Sequence, residues 1–421
     1  MPVSEPSANW TKKPSTTRRR LPRWSEISPL LNPRLPETNP VRRRLNNAHT
    51  IADLRLIARQ RTPRSVFDYV DGAAEGEDSL RAARKAFREL VFHPRALRDV
   101  STVDMQRRIL GRPAQLPLVL APTGFTRLMH HEGEAAVARA AARAGIPYTL
   151  STMGTTSIED LAAAAPQGRR WFQLYLWRDR AAGQDLIDRA RAAGYDTLVL
   201  TVDTPVAGAR LRDARNGLTI PPKLGLRTLA DMARHPAWWM NLLTTEPLEF
   251  ASLRHWQGTV AELVNHMFDP SVTLADLRRL RENWEGNLVV KGIQHVEDAR
   301  AVVAAGADGV VVSNHGGRQL DRAPLPLALL PEVLDAVGDR AEVFLDTGVL
   351  SGADVVAAVA LGASAVLVGR CYLYGLMAGG ERGVDHALGI LAAETRRTLQ
   401  LLGVPSVNDL GPEHVTRAPS R

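Results

Sequence analysis

Cysteine is all but missing: Cys371 stands alone in 421 residues. That excludes an intramolecular disulfide and any cysteine-rich metal site, and no metal is expected. No uninterrupted apolar run reaches about eighteen residues, so no transmembrane helix is expected. The N-terminus lacks the apolar core of a secretory signal, and the chain reads as cytoplasmic. Acidic residues are scarce in the first fifty positions, where three Asp/Glu face ten Lys/Arg, placing +7 of the formal +8 there. The high pI therefore belongs to an arm. Residues 1–50, rich in Pro, Ser, Thr, Asn and Arg, are expected to form a flexible basic extension. Arg18-Arg19-Arg20 and Arg42-Arg43-Arg44 could touch nucleic acid, anionic lipid or a sister subunit. A solvated tail is the plainer reading, and no nucleic-acid partner is expected.

What is present is a large, regularly alternating core, with 45% hydrophobic residues. Residues 51–99 predict a helical preface, with Thr50 as N-cap, Pro63 opening a second helix and Gly72 breaking it. From about residue 116, short apolar strands alternate with helices. The strands are Leu116–Ala121, Tyr148–Thr152, Trp171–Trp177, Thr197–Asp203, Leu288–Lys291, Gly309–Ser313, Glu342–Leu345 and Ala365–Gly369. The eighth helix is expected at Val384–Leu402. Eight evenly spaced βα units predict an α/β fold, a (β/α)8 TIM barrel, with a doubly wound open sheet as the competitor. One domain over 51–410 follows, with a tail at 411–421. A long excursion after strand 4, residues 205–271, carries Trp238, Trp239, Leu242, Leu243, Phe250 and Trp256. It could be a lid, a subunit contact, a membrane-surface anchor or a satellite core.

Barrel active sites sit at the C-terminal strand ends. Taken in order, those ends hold Pro122-Thr123-Gly124, Ser151, Gln173 and Tyr175, Thr201 and Asp203, Lys291, Ser313-Asn314-His315-Gly316-Gly317-Arg318, Asp346-Thr347-Gly348 and Gly369-Arg370. A base and a guanidinium three residues apart on one loop suggest chemistry on a small acid. Ser351-Gly352 opening a helix, together with Gly369-Arg370, suits a phosphate and implies a phosphorylated cofactor.

These residues resemble the FMN-dependent 2-hydroxy acid dehydrogenase and oxidase family, and within it the bacterial L-lactate dehydrogenases that pass electrons to a quinone or cytochrome. The motifs that carry the likeness are Phe67-Asp68-Tyr69, Ala121 to Gly124, Gln173-Leu174-Tyr175, Thr201 to Pro205, Val290-Lys291-Gly292 and Ser313 to Asp321. They occur in order from about Leu54 to Leu410. The resemblance implies FMN as cofactor and His315 as base, oriented by Asp203. It implies that Arg318, Arg210, Tyr69 and Tyr175 hold the substrate, and that Lys291 faces the N1–O2 edge of the flavin, favouring its reduction. Pro122, Thr123, Gly124, Ser151, Gln173 and Thr201 would bind the ring and ribityl parts. Ser313, Asp346, Thr347, Gly348, Gly369 and Arg370 would line the rest of the cofactor.

Three departures stand out. Leu350 occupies a position where many relatives carry a phosphate-binding arginine, leaving that load to Arg370 and helix N–H groups. Met153 and Ala207 replace larger side chains of glycolate oxidase, which fits lactate or a larger acid. The basic arm has no counterpart in minimal relatives. The resemblance further implies a homo-oligomer, with a tetramer as the family's frequent form, and allows peripheral contact with the inner face of the membrane. The competing readings are a hydroxy acid oxidase that yields peroxide, a non-redox FMN- or phosphate-binding barrel, and an arm-mediated binder.

Overall fold

The computed structural model describes residues 39–217, 225–246, 248–251 and 269–418. Arg18–Arg20 and Trp256, singled out in the sequence, lie outside them. The chain divides into two compact units, 1–43 and 44–421, and the barrel belongs wholly to the second.

Eight parallel strands close into a barrel: β1 Leu118–Leu120, β2 Tyr148–Ser151, β3 Arg170–Leu174, β4 Thr197–Thr201, β5 Asn287–Ile293, β6 Gly309–Val312, β7 Glu342–Leu345 and β8 Ala365–Val368. Closure is made by β8 on β1, where Val366, Leu367 and Val368 pair with Leu118, Val119 and Leu120. Strands covered on both faces need apolar residues at every position, which explains the unbroken runs Leu-Val-Leu, Gly-Val-Val-Val and Ala-Val-Leu-Val. The interior is filled by Val119, Trp171, Val199, Val289, Val311, Phe344 and Leu367, with Trp171 meeting Phe344 edge-on at 6.0 Å.

A hairpin, Arg107–Ile109 against Arg112–Ala114, puts Ile109 and Leu110 into that same cluster. It is held there by Arg169 Nη1 donating to Ile109 O (2.7 Å) and by Leu110 N–H donating to Glu342 Oε1 (2.7 Å). Arg169 and Glu342 lie at the starts of β3 and β7, so the hairpin plugs the N-terminal end of the barrel. Chemistry is left to the opposite rim.

The preface forms as its sequence predicts as far as Arg88; beyond it Leu90–Phe92 is not helical but a strand paired antiparallel with Val415–Arg417, which ties the expected tail to the fold. Thr50 and Asp53 make a capping box on helix Ile51–Arg61, and helices Arg64–Asp71 and Asp78–Arg88 follow. The first of these packs on the long C-terminal helix Arg370–Leu402. That helix differs from expectation. It begins at Arg370, directly after β8, and breaks at Gly379 and Gly380 rather than starting at Val384. Glycine at that break hid the first half, because Cys371 to Ala378 is apolar and buried on every face and so carries no amphipathic period.

In the excursion, helices Leu226–Ala233 and Pro236–Leu243 are described. Trp238 is buried and donates its indole N–H to Leu128 O (2.8 Å), and Phe250 packs against Phe125 with ring centres 4.5 Å apart and planes tilted by 58°. Met240 and Leu243 face solvent, 53% and 75% exposed. Among the described residues no helix is long and apolar enough to cross a membrane.

Candidate active site

The loop after β6 is where the site is assembled. His315 has φ +59°, a left-handed conformation that costs a non-glycine residue energy and persists only when its surroundings hold it. Here they do. Its N–H donates to Ser313 Oγ (3.0 Å), Gly316 N–H to Thr347 Oγ1 (3.0 Å) and Gly317 N–H to Asn314 Oδ1 (3.0 Å). Asp321 anchors the far end by accepting from Ser79 N–H (2.8 Å), at the start of helix Asp78–Arg88. Gly317, at φ +73°, lets the loop lie against Leu80, whose N atom is 3.0 Å from where a Cβ would stand.

So pinned, the His315 imidazole sits 2.8 Å (Nδ1 to Oδ1) from Asp203, whose side chain is fully buried. Asp203 fits because β5 bulges after Lys291. Gly292 takes φ +104°, and a Cβ there would lie 2.6 Å from the Asp203 carboxyl carbon. Gln319 fixes the β4 and β6 loops together, donating from Nε2 to Asp203 O (3.1 Å) and Val206 O (2.9 Å). Burial pushes the Asp203 carboxyl up, but His315 and Lys291 more than offset this and hold it low. Burial pulls the His315 imidazole below its ordinary value; Asp203 props it up and Lys291 presses it down again. The result is a neutral imidazole paired with a carboxylate, a proton acceptor with its orientation set.

Lys291 is buried beside Asp346 (3.0 Å) and donates to Ser313 Oγ (3.1 Å), which donates to Asp346 Oδ2 (2.8 Å). Burial disfavours its charge, yet Asp346 and Asp203 keep it cationic. Burial, then Asp203, raise the Tyr175 phenol, which stays protonated. The guanidiniums of Arg318 and Arg210 stand 5.1 and 5.9 Å from the centre of the Tyr69 ring. Burial and the neighbouring Arg210 press Arg318 down, so two cations held together gain from an anion between them.

His315, Lys291, Tyr175, Tyr69 and Arg318 open onto one cleft. Tyr69, Pro122, Thr123, Gly124, Ser151, Tyr175, Lys291, His315, Arg318, Asp346, Thr347, Gly348, Gly369 and Arg370 line it. Gln173, Thr201, Ser313, Asp203 and Arg210 lie off that wall. Thr201 and Asp203 border a second cleft, beside Pro205 and Asp269. Ser151 Oγ donates to Gln173 Oε1 (3.0 Å), leaving Gln173 Nε2 buried with no acceptor, as Thr201 Oγ1 is left without a partner. Orphaned buried donors are costly, and a heterocycle bearing carbonyl and ring-nitrogen acceptors would satisfy them. The cleft itself fits FMN in its polar lining, from Pro122–Gly124, Ser151 and Lys291, and in the cation Arg370. Sequence reasoning gave no role to Gln319, Met129, Leu80 or Arg84, although all but Gln319 line the cleft. Only Gln319 lay inside a motif that could have drawn attention to it.

Comparison with known proteins agrees with this geometry. A profile described as FMN-dependent dehydrogenase matches residues 58–417. A Mycobacterium tuberculosis protein, provisionally named an L-lactate dehydrogenase, is 59% identical over 399 residues, covering 95% of this chain and 96% of the relative. The L-lactate dehydrogenase of Caulobacter vibrioides is 44% identical over 84% of this chain and 94% of its own. The crystal structure of the monotopic membrane protein (S)-mandelate dehydrogenase superposes with a TM-score of 0.85 at 39% identity, over 88% of this chain and 100% of that one. The chain belongs to the FMN-dependent dehydrogenase family.

Proposed function

We propose that this FMN-dependent oxidoreductase oxidises L-lactate, or a close L-2-hydroxy acid, to the 2-oxo acid and passes the electrons to a quinone or cytochrome. The observation that carries the reading is the His315 imidazole, 2.8 Å from Asp203 and opening onto the same cleft as Arg318, Tyr175 and Lys291.

The substrate loses two electrons and two protons from its HC–OH unit. FMN, when bound, supplies the two-electron acceptor. Arg318 and Arg210, both beside the Tyr69 ring, clamp the carboxylate, and the hydroxyls of Tyr69 and Tyr175 add hydrogen bonds to the carboxylate and the C2 oxygen. His315 takes a proton from the HC–OH unit at Nε2, because Nδ1 is engaged by Asp203. Asp203 holds the ring's orientation and stabilises the imidazolium that forms. Lys291, cationic and buried in the cleft wall, would supply the positive charge that favours electron uptake by the bound cofactor. Gln173, Thr201, Ser151 and the Pro122–Gly124 backbone would hold its ring, with Ser313, Asp346, Thr347, Gly348, Gly369 and Arg370 along its tail.

The acceptor assignment is supported by helix Pro236–Leu243, whose exposed Met240 and Leu243 suit a membrane surface, and by the likeness to a monotopic membrane enzyme. An oxidase reading has its own support, since a mandelate oxidase structure superposes with a TM-score of 0.76 at 39% identity. The test is anaerobic addition of L-lactate, (S)-mandelate and glycolate to the yellow protein. Bleaching by L-lactate first and fastest is expected, and bleaching by none of the three would sink the reading. In air, dye or quinone reduction without stoichiometric peroxide separates dehydrogenase from oxidase.

A further inference from the structure

The far end of the cleft, away from His315, is floored by the loops after β7 and β8. The loop from Thr347 to Ala353 contains no cation of its own. Two guanidiniums reach this end from elsewhere, those of Arg370 and Arg84. They are not equivalent. Arg370 is spent on backbone carbonyls: Nε donates to Val70 O (3.0 Å), Nη1 to Gly316 O (3.0 Å), and Nη2 to Gly72 O (2.8 Å) and Gly316 O (3.0 Å). One N–H of five is left over.

Arg84 comes from helix Asp78–Arg88 and uses Nη1 alone, donating to Asp354 Oδ2 (2.8 Å) and to Gly348 O. Its Nε and Nη2 have no hydrogen-bond partner among the described residues. The same Asp354 oxygen accepts from Leu350 N–H (2.8 Å), so the guanidinium is moored beside residue 350. The approach is built in. Gly348 has φ +93°, and a Cβ on it would lie 3.1 Å from Phe87 and 3.2 Å from Ala83, which flank Arg84 on the helix. A larger residue at 348 would be strained at this φ and would press on the helix on either side of Arg84.

We propose that Arg84 is the phosphate-binding guanidinium of the cofactor site, delivered by the N-terminal helix to a β7 loop that has none. Asp354 holds the side chain in place through one N–H and leaves the Nε–Nη2 edge for a bidentate contact to phosphate oxygens. The competing role, neutralising Asp354 and nothing more, predicts no discrimination between flavins that differ only in the phosphate.

This inference rests on FMN as the cofactor, not on which acid is oxidised. The full-length protein, stripped of flavin, is titrated with FMN and with riboflavin, and fluorescence quenching gives both affinities. In Arg84→Met, FMN affinity is expected to fall about 10- to 100-fold while riboflavin changes by less than about twofold. Adding Leu350→Arg to that variant should restore most of the loss. Equal losses for the two flavins, or no loss for FMN, would overturn the proposal. Should Arg84→Met fail to fold, Leu350→Arg alone decides. A gain under about threefold for FMN is expected if Arg84 already serves, and a gain above about tenfold confined to FMN would refute it. Wild-type protein that binds neither flavin would instead refute the cofactor.

Discussion

The nine-residue loop Ser313–Asp321 and the excursion 205–271 leave the same rim of the barrel and are built on opposite plans. In the first, Ser313, Asn314, Gly316, Gly317, Arg318, Gln319 and Asp321 each make a hydrogen bond to a neighbouring loop or helix or within the turn. In the second, Trp238 and Phe250 are tied down while Met240 and Leu243 are left in solvent. The difference follows from what each is proposed to do. A base has to be held to a fraction of an ångström, and misplacement by about 1 Å can cost a hundredfold in rate. An apolar helix that docks on a surface needs only area and exposure.

The comparison breaks most readily at His315. His315→Gln keeps the volume and a hydrogen-bonding group but loses the titrating nitrogen. Turnover with a soluble dye should fall about 10⁴-fold, the upper range for a general base. Bound flavin, read from the visible spectrum, should stay near wild type, because the imidazole holds substrate chemistry and not the cofactor. Loss of colour together with activity would mean the loop is a cofactor clamp instead.

Asp203→Asn comes next, at up to about 10⁴-fold in kcat/KM, since the base survives but loses its orienting charge and its fixed tautomer. It also carries a signature in pH. The base works when neutral, so activity is present above its pKa and lost as pH falls through it. Burial holds the His315 pKa low in the wild type, so the acid limb should lie below about 6.5. Asp203 is the main group propping it up, so removing the carboxylate must shift the limb to still lower pH. A shift upward, or none, would show that the two residues are not coupled as the 2.8 Å contact requires.

The two loops also differed in how far they could be read from sequence. The barrel was legible because buried parallel strands must be apolar at every position, and eight such runs between Ala-rich helices leave few alternatives. His315, Arg318 and Lys291 were legible because strand ends in such a barrel face one mouth. Arg84 was not, since it lies on a helix of the preface where an arginine at helical spacing looks like any solvated residue. Gly292 was seen as part of a motif, but its steric role needed the bulge of β5 and the nearness of Asp203, a contact across 89 residues of chain. Nor could the excursion be resolved between satellite core and contact surface. Its described part buries Trp238 and Phe250 and leaves Met240 and Leu243 in solvent, and only the partner atoms, Leu128 O for Trp238 and Phe125 for Phe250, tell the buried side chains from the exposed ones.

The smallest effect on turnover should come from that exposed face. Replacing Met240 and Leu243 together by Ser removes two side chains that pack little in the folded chain, so stability should shift by no more than about 0.5 kcal/mol each. The dye-linked rate should stay within about twofold, because neither residue lines the catalytic cleft. Their contribution would appear on a membrane. Burying a Leu or Met side chain gains about 1.5–3 kcal/mol when complete. Two residues already partly covered would contribute about 3 kcal/mol between them, or roughly a hundredfold in partition onto vesicles measured by co-sedimentation. The quinone-linked rate on vesicles should fall with that partition while the dye-linked rate holds. A variant that binds vesicles as well as wild type would remove the helix from the docking surface, and a dye-linked rate that fell tenfold would make the excursion part of the active site rather than a neighbour to it.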